Sequence, residues 1–95
     1  MHRSTFHYIF DEKVSMLEVN DHLTIARNET IEVWWDHLAE CEPSPYVDEK
    51  KHTCSIDGTG HAGQLLACIF TGRLVHHLGT HAFTVEQKIT SGAQS

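Results

Sequence analysis

Basic residues are scarce: seven Lys and Arg stand against thirteen Asp and Glu, a formal net charge of −6 with histidine neutral. That balance opposes binding to phosphate backbones and to anionic membrane surfaces, so neither nucleic acid nor a membrane is an expected partner. Long apolar runs are missing too. The longest, Leu65 to Phe70, has six residues, far short of the roughly 20 that cross a bilayer. With no charged-then-apolar leader at its start, the chain reads as soluble, unexported and cytoplasmic. Cysteine is limited to Cys41, Cys54 and Cys68, an odd number without a C-x-x-C pair, which argues against a disulfide framework and for a reducing compartment. Both prolines fall in one short segment, Pro43 and Pro45, and no repeat or low-complexity tract breaks the 95 residues. One domain over 1–95 is expected.

What the sequence does have is histidine. Protonating all nine would move the formal charge from −6 to +3, so solubility and self-association should respond to mild acidification whatever the function.

Residues 5–10 alternate, with Phe6, Tyr8 and Phe10 on one face, which predicts a strand. Val14, Met16, Leu17 and Val19 suggest a second strand over 14–19, joined to the first by a turn at Asp11-Glu12-Lys13. The competing reading starts a helix at Ser15, because Ser15 and Glu18 have capping-box spacing. Farther on, Asn28 can cap a helix over about 28–41, with Glu29 and Glu32 in its first turn and Pro43 beyond its end. On that helix Ile31, Trp34, Trp35, Leu38 and Cys41 form an apolar stripe, opposite Glu29, Glu32, Asp36 and Glu40. Residues 52–56 read as a strand ending at Asp57-Gly58. Thr59 can then cap a helix running to about Leu78, with His76 and His77 in its last turn and Gly79 as terminator. A final strand covers 82–89, with Phe83, Val85 and Ile89 on one side. The fold class is α+β, a sheet of about four strands with two helices in the order β-β-α-β-α-β. The alternative turns residues 64–78 into two strands, giving a curved antiparallel sheet with one main helix, because Gly72 weakens a helix there.

Two constellations suggest ligand chemistry. Gly58, Gly60 and Gly63 form a G-x-G-x-x-G between a predicted strand and a predicted helix. There, close backbone approach and free N–H groups suit a nucleotide phosphate or another anion, with His61 beside it. Glu86 could meet a ribose hydroxyl, although its separation from Gly58 is long for that role and Asp57 adds an unfavourable charge. The bland alternative makes the glycines a packing turn. The second constellation is His52, Cys54 and His61, nitrogen and sulfur donors suited to a transition metal, without a standard spacing. Cys54 with His61 is the one pair available for nucleophilic catalysis.

The acidic side of the 28–41 helix sets like charges four residues apart, which a basic protein partner would relieve. Trp34 and Trp35 flank its apolar stripe and suit an interface. The apolar run 65–70 exceeds what so short a chain is expected to cover alone. The expected function is therefore a small, non-enzymatic protein-interaction or ligand-binding module. It would act as a homodimer without a cofactor, and Glu29, Glu32, Trp34, Trp35, Asp36 and Glu40 would face a basic partner or small ligand. The alternatives are a nucleotide- or anion-binding protein using the 58–63 turn, and a His/Cys metal-binding protein.

Overall fold

Two local signals decide where the first helix begins. Asp11 makes a turn, accepting the Lys13 amide on Oδ1 at 3.0 Å and the Val14 amide on its carbonyl at 3.0 Å. Ser15 Oγ then accepts the amide of Glu18 at 3.5 Å, the cap of the S-x-x-E signature. The computed structural model describes residues 2–34, 45–58 and 60–91. In it β1 (His2–Phe10) is followed by α1 (Met16–Trp34), β2 (Tyr46–Asp48), β3 (Thr53–Asp57), α2 (His61–Leu78) and β4 (Phe83–Ser91).

The class is α+β: the described residues form two helices and a four-stranded antiparallel sheet in the order β2-β3-β1-β4. The order of elements differs from the sequence expectation: it is β-α-β-β-α-β. Residues expected as a second strand, 14–19, open α1 instead, and residues 28–34 are its last turns rather than the start of a new helix. Trp35 to Cys41, the rest of the expected 28–41 helix, lie outside the described residues. Strand β2 was not expected at all. Residues 61–78 form one continuous helix, so the curved sheet with a single main helix does not occur.

Each helix joins two strands that leave room for a third between them: β3 lies between β1 and β2, and β1 between β3 and β4. This is the split β-α-β arrangement of ferredoxin-like sandwiches. Register fixes the faces. Phe6 pairs with Ile56 and Gln87, Tyr8 with Cys54 and Val85, and Phe10 with Phe83, which places these residues on the helix side of the sheet. Tyr8, Phe10, Cys54, Ile56 and Phe83 join Val19, Leu23, Ala26, Leu66, Phe70 and Leu74 in one buried cluster. The Tyr8 hydroxyl lies 2.8 Å from Thr71 Oγ1 and donates to the Ala67 carbonyl at 3.2 Å; Phe70 meets its ring edge-on at 5.0 Å. Burial pushes the phenol up to about 12, so it stays a neutral donor pinning α2 to β1.

The opposite sheet face is largely polar: Thr5, His7, Thr53, Ser55 and Asp57 share it with the exposed Ile9 and Tyr46, and His7 Nδ1 lies 3.1 Å from Ser55 Oγ. The apolar run of α2 is largely covered by the chain itself: Leu66, Ala67 and Phe70 are buried, Leu65 and Ile69 half-buried, and Cys68 alone is exposed. The uncovered apolar surface sits elsewhere.

Candidate interaction surface

The glycine turn is a packing joint. A Cβ on Gly63 would overlap the carbonyl oxygen of Asp57 and lie 3.2 Å from Gly58 Cα, and one on Gly58 would press into the Phe6 ring. Without side chains there, the start of α2 rests directly on the end of β3. Gly58 donates its amide to the Ser4 carbonyl at 2.8 Å, and Gln64 Nε2 donates to the Gly58 carbonyl at 3.2 Å. Gly60 precedes the helix in extended conformation, while Thr59, the expected cap, lies outside the described residues. The following strand does not make a dinucleotide-type unit. β4 is separated from β3 by β1, and Glu86 pairs with His7 on the polar sheet face, whereas α2 packs on the other.

His52, Cys54 and His61 are not brought together. His52 stands in the turn before β3 at φ 54, and its backbone carbonyl accepts the Phe10 amide at 2.9 Å. His61 is exposed at the start of α2, so the length of β3, at about 3.4 Å per residue, lies between them. Cys54 faces the core, 1% exposed, and burial pushes its thiol up to about 12, which removes it as a nucleophile at neutral pH. Among the described residues, no three His, Cys, Asp or Glu side chains are disposed to hold a metal ion.

The acidic surface is partly answered from within. Glu29 Oε1 lies 3.9 Å from Arg73 on α2, and Glu32 is exposed. The side chain of Trp34, and Trp35, Asp36 and Glu40 entirely, fall outside the described residues.

A histidine cluster at the seam of α1 and α2 escaped sequence reasoning. His22 is 7% exposed, and its ring stacks on that of His77 at 4.6 Å, with His76 edge-on to His77 at 5.0 Å. Its Nε2 is 3.6 Å from Glu18 Oε1, beyond a good hydrogen bond. Neither ring nitrogen has a hydrogen-bond partner among the described residues. Only the i,i+4 spacing of Glu18 and His22 could have signalled the pair.

An apolar concavity runs between α2 and β4. It measures about 370 Å³ and is lined by Phe6, Gln64, Ala67, Cys68, Thr71 and Val85. A hollow of about 410 Å³ where α1 begins mixes the polar Asp11, Lys13, Ser15, Glu18 and His81 with the apolar Val14, Leu78 and Ala82. α2 packs on β3 and, through Tyr8, on β1, and β4 lies at the sheet edge beside β1. Val85 is 38% and Ile89 66% exposed on the helix side of β4. The alternation of Phe83, Val85 and Ile89 was legible in sequence, but the position of their strand was not.

The chain matches no family model and no curated protein. Among the described residues, no helix is long and apolar enough to cross a membrane.

Proposed function

We propose that this chain is a small, non-catalytic protein-interaction module that acts as a homodimer and works through its β4 edge and the adjoining apolar groove. The observation that carries the reading is the uncovered strip of Val85 and Ile89 beside that groove, on a nine-residue strand with one edge unpaired among the described residues. An edge of this length is a template for another strand, and apolar side chains along one face of it add the area that makes strand addition stable. Of the residues first expected to carry the contact, Glu29 has Arg73 as a neighbour, which weakens the case for a basic partner there.

The absence of chemistry in this reading rests on particular groups. Cys54 is buried with its thiol pushed up, and the Tyr8 hydroxyl is engaged with Thr71 and Ala67. The glycine turn is filled by Gln64 and Phe6. Free thiols at Cys54 and Cys68 suit a reducing, cytoplasmic setting.

Sedimentation velocity from sub-micromolar to high micromolar concentration tests the reading. A reversible monomer–dimer equilibrium is the expected result; a single monomeric species throughout would overturn it.

A further inference from the structure

From the backbone pattern of β4 we infer that the partner is a second copy of this chain, its own β4 added antiparallel across a two-fold axis at Gln87. This deepens the homodimer reading and rests on it.

The direction of every amide along the edge follows from two hydrogen bonds on the far side of β1. Phe10 donates to His52, and Ser4 accepts from Gly58, so even-numbered residues of β1 bond toward β3. The odd-numbered residues Thr5, His7 and Ile9 therefore bond toward β4, where their partners are Lys88, Glu86 and Thr84. Alternation along an antiparallel strand leaves the N–H and C=O groups of Phe83, Val85, Gln87, Ile89 and Ser91 pointing out of the sheet edge.

A two-fold axis perpendicular to the sheet must then pass through a residue, because a centre between residues would set an outward group against an inward one. The possible centres differ sharply. An axis at Glu86 opposes Glu86 to its own copy, and one at Lys88 opposes two lysines. An axis at Gln87, the midpoint of Phe83–Ser91, pairs all nine residues of the strand. It sets Val85 opposite Ile89 of the second copy and Glu86 opposite Lys88 of the second copy, and repeats both pairs by symmetry. Glu86 and Lys88 meet at the non-hydrogen-bonded positions, where facing side chains come closest.

The two sides of the joined sheet agree with this register. On the polar side, Glu86 and Lys88 are both exposed and gain opposite charges. On the helix side, the exposed Val85 and Ile89 bury each other, and the groove floored by Phe6 and Val85 meets its copy across the axis. α2 leaves Val85 and Ile89 exposed at this edge.

Charge reversal tests the register. Glu86→Lys and Lys88→Glu should each weaken self-association on the order of tenfold or more, since every variant dimer contains two like-charge pairs. Glu86→Lys/Lys88→Glu should restore it. An equimolar mixture of the two single variants should form a heterodimer, because its facing pairs are again opposite in sign. Gln87→Cys, in a Cys41→Ser/Cys68→Ser background, should oxidise to a covalent dimer, as facing Cα atoms about 5.5 Å apart suit a disulfide. A wild-type dimer whose affinity ignores these reversals, and whose Gln87→Cys variant does not cross-link, would overturn the register while leaving the homodimer reading in place. A wild-type chain that stays monomeric would overturn both.

Discussion

Replacing glycine by alanine at two positions of α2 should give opposite results. At Gly63 the added methyl would overlap the Asp57 carbonyl oxygen, lie 3.0 Å from its carbon and 3.2 Å from Gly58 Cα. All three are backbone atoms of the β3 end, so no rotamer change relieves the clash and α2 must lift off the sheet. Overpacking of this kind costs about 1 to 3 kcal/mol, and the rigid surroundings place Gly63→Ala toward the top of that range. Better helix propensity returns roughly 1 kcal/mol, for a net loss near 2 kcal/mol. In a domain of this size about 1 kcal/mol corresponds to 4 to 8 °C in melting temperature, so a fall of ~10 °C is expected. At Gly72 an added Cβ meets nothing within 4 Å, so Gly72→Ala should stabilise by about 0.5 to 1 kcal/mol through propensity and a less flexible unfolded chain. Urea denaturation followed by circular dichroism measures both. A Gly63→Ala protein as stable as wild type would refute the close joint between α2 and β3. A destabilised Gly72→Ala protein would refute the open side of the helix.

Acidification acts on the histidine seam. Partial desolvation, and then the positive charges of His22, His76 and Arg73, hold the His77 imidazole below its ordinary value of 6.5. The unfolded chain therefore takes up the proton first: this contribution is at its full value above pH 6.5 and is lost as pH falls from there through the lowered folded value. Urea midpoints should drop over that window, less so in His77→Gln, and a drop of the same size in that variant would assign the loss elsewhere. Thiol chemistry gives a second check. Cys68 is exposed and Cys54 buried, so alkylation of native protein at neutral pH should label Cys68 and spare Cys54 until urea unfolds the chain; early labelling of Cys54 would contradict the packing of β3.

Sequence and structure agree at the first strand and at the end of α2, where the local signals are strong. The alternation of Phe6, Tyr8 and Phe10 has no helical counterpart, and Gly79 at φ 88 ends α2 as its position implied. Misreading came where two periods fit the same residues. Val14, Met16, Leu17 and Val19 satisfy a strand as well as a helix, and the Ser15–Glu18 cap decides between them. The middle of α1 is rich in weak helix formers, Asn20, Thr24, Asn28 and Thr30, which made Asn28 look like a beginning. Inside the helix Thr24 and Thr30 donate their hydroxyls to the Asn20 and Ala26 carbonyls at 3.0 and 2.8 Å, so the fully buried Thr30 carries no unpaired hydroxyl. The candidate surface was half legible. Its apolar residues follow from alternation, but their exposure depends on β4 lying at the sheet edge, a consequence of strand order that no local pattern encodes. His22 beneath His77 depends likewise on how the two helices pack.

Amide hydrogen exchange along β4, resolved by NMR at low and high protein concentration, addresses the homodimer edge most directly. Glu86 and Lys88 bond inward to β1 and should be protected at every concentration. The amides of Val85, Gln87 and Ile89 should exchange freely in dilute solution and become protected, together, as concentration rises. Protection of those three that stays unchanged over the whole range, or fast exchange of all three at the highest concentration, would contradict the account.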